Sequence, residues 1–428
     1  MELKIVDDDL YVLSPPGYEL VYDLVQKDSG CKLLAQVIND TLDRLGMREP
    51  ILWIDSPYWA PIIDYLSPSK IIYNCMDKFE EFDGLSEKAG LIKRFERDIL
   101  SIADIVMVTS QVLLDKVKYY NENVHLVPNA AEIDHFKQAY EEELEVPIEL
   151  EEIDGPIVGF FGAIAEWFDV ELVANLAMQE PDISIVLIGN VTIELEELEG
   201  YENVYLLGEK PYQQLPNYLQ GFDVCIIPFI KNDLTLSTDP VKLYEYLAAN
   251  KPVVSIDLPE VRKFAGVIEI ADNKEDFCEK VSKLCKEDKD KINREEIQKL
   301  LSKNDWTDRV KQIKDLIGGF DDVEVIEESK SERGLNDEEL KTDENLIDIT
   351  EVEEVDKNKD SNKAISIDTE ETIQSEPTNS EVKNGEAISD KEEVQEEKLG
   401  FFKRAWSKVK NKFDQLIDWI KELSNFEE

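Results

Sequence analysis

Ten short runs of apolar, largely β-branched residues punctuate the first 320 positions, with room for a helix or crossover between neighbours. They form two series: 51–54, 71–75, 105–108 and 124–127, then 157–161, 183–188, 204–207, 224–227, 253–256 and 267–270. A strand that is apolar on both faces needs cover on both, and strands alternating with helices run parallel. The pattern therefore predicts an α/β chain with two parallel sheets. An acidic, weakly patterned stretch at about 138–154 separates the two series.

We expect two Rossmann-like domains facing one another, over 1–137 and 138–320. A helical segment at 304–317 ends the second or crosses back to the first. Asp7, Asp8 and Asp9 lie between two β-like runs. They read as a solvated hairpin turn in preference to a metal site.

The formal net charge is −48, from 47 Lys and Arg against 95 Asp and Glu. That excess repels phosphodiester backbones and argues against nucleic acid as a partner. Part of it is concentrated: 321–397 holds 28 acidic and 8 basic residues and no aromatic. This is the composition of a disordered acidic linker. In 398–428, Phe402, Trp406 and Phe413 fall on one helical face, and Lys403, Arg404 and Lys410 on the other. With Lys408 they predict an amphipathic helix that contacts an anionic membrane surface or a partner protein.

The five cysteines are scattered without a CxxC pair, which predicts reduced thiols and neither a disulfide framework nor a metal site. No signal peptide or membrane-spanning run is visible, so a cytoplasmic location is expected, peripheral at the inner face of the cell membrane if the tail binds there.

Ligands of open α/β sheets bind at the carboxyl ends of strands, and phosphates favour helix N-termini. Gly162 ends the run GFFG, where a missing Cβ lets a backbone N–H approach a phosphate; it serves a tight turn equally well. In Ser237-Thr238-Asp239-Pro240-Val241-Lys242-Leu243-Tyr244-Glu245, a polar N-cap precedes a proline in the first turn. Lys242 then opposes the helix macrodipole, which makes sense if an anion neutralises it. Glu245, three residues on, shares its face and can accept ribose hydroxyls. The same residues also read as a plain Lys–Glu pair on a capped helix.

The run 237–254, the linking segment 128–136 (PNAAEIDHF), 159–169 (GFFGAIAEWFD), 208–212 (GEKPY) and 223–229 (DVCIIPF) together resemble the GT-B glycosyltransferases of family 4. The bacterial cell-envelope members, such as teichuronic-acid and exopolysaccharide transferases, are the most similar. The resemblance spans about 50–318. It implies transfer of a sugar from a nucleotide-sugar donor to a glycan or lipid-linked acceptor, without a metal or other cofactor. It assigns Glu245 to the donor ribose, Lys242 with the amides near Thr238 and Asp239 to the diphosphate, and Glu209 and Lys210 to the nucleobase. Ser237 stands where the family carries a glutamate, and Ala163 where many members carry an arginine.

For the acceptor, Asp77 and, less favoured, Asp55 follow strands of the first series and can orient or deprotonate a hydroxyl. Loop capping is the plainer reading of both. The acidic, aromatic loop from Lys78 to Gly84 would form an acceptor rim. His125 reads as structural. Against the family's pattern, the chain opens about one βα unit late. This raises the alternative of a catalytically inactive glycosyltransferase-like scaffold or regulatory subunit, tethered by its C-terminal helix.

Overall fold

The computed structural model describes residues 2–7, 10–14, 18–82, 88–287 and 294–318. The expected acidic linker and C-terminal helix lie outside the described residues, as do Asp8 and Asp9. Strands β1 (Glu2–Asp7) and β2 (Leu10–Ser14) pair antiparallel, with Asp7 opposite Leu10, as a hairpin would. Helix α1 (Tyr18–Val25) follows.

The described residues from Val25 to Gly318 belong to one compact unit with two parallel sheets. Helix α2 (Asp28–Arg44) leads into β3 (Ile51–Ile54) and β4 (Lys70–Cys75). These are followed by α3 (Ala89–Ile102), β5 (Ile105–Val108), α4 (Gln111–Val117) and β6 (Val124–Leu126). The sheet order is β3-β4-β5-β6, the order of the chain, so its described strands contain no point where the winding reverses. The central β5 is buried at every residue, as its unbroken apolar run requires.

Helices α5 (Ile133–Glu141) and α6 (Ile148–Glu151) occupy the acidic joining stretch. The second sheet uses β7 (Ile157–Phe161), β8 (Ser184–Ile188), β9 (Val204–Gly208), β10 (Val224–Ile227), β11 (Val253–Ile256) and β12 (Glu269–Ala271). Its helices are α7 (Val170–Gln179), α8 (Leu215–Gly221), α9 (Val241–Ala248) and α10 (Lys274–Lys286). The order β12-β11-β10-β7-β8-β9 reverses between β7 and β10. At such a switch point two crossovers leave in opposite directions and open a crevice at the strand ends. Local caps start the flanking helices: Asp169 accepts from the Leu172 amide and Asn273 from the Asp276 amide, each at 2.9 Å.

After α11 (Arg294–Leu301), α12 (Trp306–Ile317) crosses back, the second of the two courses expected for 304–317. Ile317 joins Ile72, Ile105, Met107 and Val127 in the core beneath the first sheet. Arg309 of α12 is buried and donates to the Pro128 carbonyl at 2.8 Å and to the Lys303 carbonyl at 2.9 Å. The chain thus returns along its own crossover, and Ala131 forms a parallel bridge with Asp305.

Candidate functional site

The crevice between β7 and β10 is built from backbone. Gly162 follows β7 with φ +130° and donates its N–H to the Ile188 carbonyl at 2.9 Å. Gly189 follows β8 with φ +150°, and a Cβ there would lie 1.9 Å from the Gly162 carbonyl oxygen. The two strand-end turns therefore abut with no side chain between them. Gly189 was not singled out from sequence, although glycine recurs directly after β7 and β8 and ends β9.

A Cβ on Gly162 would come within 3.0 Å of Lys242 Cε, so the missing side chain makes the space in which Lys242 lies. Its ammonium sits 5.2 Å from the centroid of Phe160 in β7 and 4.8 Å from that of Phe229, just after β10. Both distances are within cation–π range. Electron-rich faces from both sides of the switch point thus offset the cost of a cation in the first turn of α9.

The side-chain cap expected for α9 is not formed: Pro240 is the N-cap and no side chain caps it. The three candidates are engaged elsewhere. Ser237 Oγ donates to the Leu234 carbonyl at 2.7 Å, inside the 3-10 turn Thr235–Ser237, and is fully buried. Thr238 Oγ1 lies 3.0 Å from the Leu234 carbonyl oxygen and 3.2 Å from Asp77 Oδ1, bringing the turn against the Asp77 carboxylate. The buried Asp239 carboxylate accepts from the Asn129 amide at 2.8 Å and from the Tyr244 hydroxyl at 3.0 and 3.1 Å. Asn129 in turn donates its side-chain N–H to the Asp239 carbonyl at 2.6 Å. Asp239 therefore ties the joining segment to the base of α9. Burial, and after it the charge of Glu260, pushes its pKa from 3.8 up to about 7.

Glu245 lies one turn beyond Lys242 and is buried. Burial first, then the charges of Glu245 and Glu132, raises the Tyr212 phenol. Tyr212 stacks on His135 with centroids 4.8 Å apart, and His135 Nε2 lies 3.2 Å from the Tyr212 carbonyl oxygen. This pair lies within segments quoted for the resemblance, but sequence gave no reason to join them. Glu209 is exposed at the end of β9. Lys210 pairs with Glu149 of α6 at 2.7 Å, and the Tyr218 hydroxyl also donates to Glu149 at 2.6 Å. Lys210 is thus occupied by an ion pair within its own half.

On the facing side, the loop after β4 meets the second half at three places. Asp77 meets Thr238, Lys78 lies 3.6 Å from Asp233, and Phe82 packs edge-on against Trp167 with centroids 6.5 Å apart. Asp55 is instead tied to its own sheet, with Oδ1 accepting from Trp53 Nε1 at 2.9 Å and Asn74 Nδ2 at 2.8 Å. His125 lies in β6 with Nε2 2.6 Å from Asn123 Oδ1. Among the described residues, no helix is long and apolar enough to cross a membrane.

Two parallel halves, a switch-point crevice and a lysine-bearing helix at its mouth define a GT-B fold. Residues 155–287, which contain Gly162, Lys242 and Glu245, match the family described as Glycosyl transferases group 1. The chain is 26% identical over 285 residues to "Putative teichuronic acid biosynthesis glycosyltransferase TuaH" of Bacillus subtilis (strain 168), covering 61% of this chain and 70% of that protein. Sucrose-phosphate synthase from Thermosynechococcus elongatus superposes with a TM-score of 0.55 at 14% identity, covering 74% of this chain and 84% of its own. Anabaena HepE in complex with UDP and glucose gives 0.52 at 14% identity, over 67% and 82%. The solved structures share the fold, and with the family match the chain is a sugar-transferring enzyme of GT-B type.

The pKa of Asp239 sets a sign for pH dependence. Between 3.8 and about 7 the folded chain holds a proton there that the unfolded chain has lost. Stability therefore falls as pH rises through that window, by about 4 kcal/mol from this group. Chemical denaturation from pH 4 to 8 should show the fall, and Asp239→Asn should remove that part of the slope. An unchanged slope in the variant would rule out Asp239 as its source.

Proposed function

We propose that this glycosyltransferase moves a hexosyl unit from a nucleotide-diphosphate sugar to a cell-envelope glycan or lipid-linked precursor. The observation that carries the donor assignment is Lys242, lying over Gly162 at the switch point on a helix N-terminus without a side-chain cap. A diphosphate there would meet the positive end of α9 and the Lys242 ammonium, both of which stabilise negative charge. Glu245 would accept the ribose hydroxyls. The anomeric carbon–oxygen bond to the diphosphate breaks, and the acceptor oxygen bonds to that carbon. The leaving diphosphate's charge falls on α9 and Lys242, so the reading needs no metal ion. Asp77 takes the acceptor proton or orients its hydroxyl, and Phe82 and Trp167 rim that side. The name of the Bacillus relative supports an envelope acceptor, and the UDP and glucose bound to HepE support a nucleotide-sugar donor.

A ligand present at 100 times its dissociation constant adds about 2.7 kcal/mol to stability. Thermal unfolding of the full chain against uridine, guanosine, thymidine and cytidine diphosphates should show a rise of several degrees with one base. Lys242→Ala and Glu245→Ala should abolish that rise. Gly162→Ala should weaken it at least tenfold in affinity, through displacement of Lys242. A rise that survives Lys242→Ala and Glu245→Ala would overturn the donor assignment.

Asp77→Asn should lower transfer by about 10²–10⁴-fold with nucleotide affinity unchanged. Full transfer activity in that variant would remove Asp77 from the chemistry. The membrane reading of 398–428 predicts that the chain floats with vesicles of anionic phospholipid and that removal of 398–428 abolishes flotation. Failure of the full chain to float would leave the tail without that role.

A further inference from the structure

The loop after β4 carries Asp77, Lys78 and Phe82 to the second half, yet little local structure supports it. Its 3-10 turn Phe79–Glu81 has no side-chain cap, and the Glu81–Lys93 pair at 3.7 Å is largely exposed and contributes little. Thr109 Oγ1 fixes the start of the loop by donating to the Met76 carbonyl at 2.7 Å. The anchor at its centre is Glu80, the buried residue of the turn at 5% exposure. Glu80 Oε1 lies 3.0 Å from Lys116 Nζ of α4.

Lys116 also pairs with Glu96 of α3 at 2.8 Å, and Glu96 is 3% exposed. Glu96 has further donors: Tyr73 hydroxyl at 3.3 Å and Cys75 thiol at 3.7 Å, both reaching Oε1. Glu80 has Lys116 alone among the described residues, and its Oε2 is buried without a hydrogen-bond partner. Burial pulls the Lys116 pKa down, but Glu96 and Glu80 outweigh it and hold the group up at about 12, so Lys116 stays charged. Folding of the first half does not need this second carboxylate, because Lys116 and Glu96 alone would form a neutral pair. An apolar residue in place of Glu80 would leave no buried charge uncompensated, the condition under which loss of one partner is costly.

We infer that Glu80 is a positioning residue for the acceptor side: its ion pair to Lys116 holds the 76–82 loop where Asp77 meets Thr238 and Phe82 meets Trp167. The link to the acceptor rests on the proposed role of Asp77; the positioning itself does not.

Glu80→Leu in the full chain is the test, because it leaves the Lys116–Glu96 pair balanced. The chain has six tryptophans. With 5-fluorotryptophan incorporated, the Trp167 resonance is assigned by its absence in Trp167→Phe. In Glu80→Leu that resonance should shift or broaden, while those of Trp53 and Trp306 hold still. Amides of 76–82 should exchange hydrogen about tenfold faster. The unfolding midpoint should not fall, and any stabilisation by a nucleoside diphosphate should persist. An unmoved Trp167 resonance with unchanged exchange would overturn the inference, as would a lowered midpoint with general loss of protection, which would mean a structural role alone. If no nucleotide stabilises the parent chain, the donor reading fails while the resonance and exchange results still decide the role of Glu80.

Discussion

A cation in the first turn of a helix faces the positive end of the macrodipole, and the second sheet is arranged around that misplaced charge. Lys242 is tolerated because β7 and the segment after β10 present Phe160 and Phe229 to its ammonium and because Gly162 leaves room for its stem. Gly162 can sit there only because Gly189 lets the next turn approach its carbonyl. One reversal of strand order thus supplies the crevice, the aromatic faces and the two side-chain-free turns. A phosphate group entering the crevice would meet a cation that already lies against two aromatic faces.

The two halves depend on long-range polar ties more than on a shared apolar core. Asp239 joins the 128–131 segment to α9, and Gln111 at the start of α4 donates its amide to the buried Glu260 at 2.8 Å. Helix α12 adds an apolar tie through Ile317 under the first sheet, beside the Phe82–Trp167 contact. Carboxylates that accept backbone N–H groups fix direction as well as distance. Such ties set how the Asp77 loop faces α9, which the apolar packing of each sheet does not specify.

This explains what was legible in the sequence. Strand runs depend on local composition, and nine of the ten were placed within one residue at each end. The exception is instructive: the apolar run 267–270 gives a strand only at Glu269–Ala271, because Gly266 at φ +101° turns the chain and Val267 belongs to that turn. The cap of α9 failed for the opposite reason. Ser237-Thr238-Asp239 before Pro240 is a sound local signal, but Asp239 finds Asn129 110 positions earlier and Thr238 finds Asp77 161 positions earlier. Partners at that separation leave no trace in local spacing. Lys210 was likewise read from a motif, and its pairing with Glu149 depends on how α6 folds against α8.

Asp239 and Glu80 show why two buried carboxylates in one chain should be read differently. Asp239 is met by an amide and a phenol, both neutral donors, and its pKa rises to about 7. It can take a proton and keep one of its hydrogen bonds, so its burial is a matter of stability and pH. Glu80 is met by an ammonium that also serves Glu96, and one of its oxygens is left without a partner. Charge balance does not require a carboxylate at that position, because Lys116 would keep Glu96. What the ion pair adds is a fixed direction for a loop that has few bonds of its own, and that loop carries Asp77, which meets Thr238 just ahead of α9.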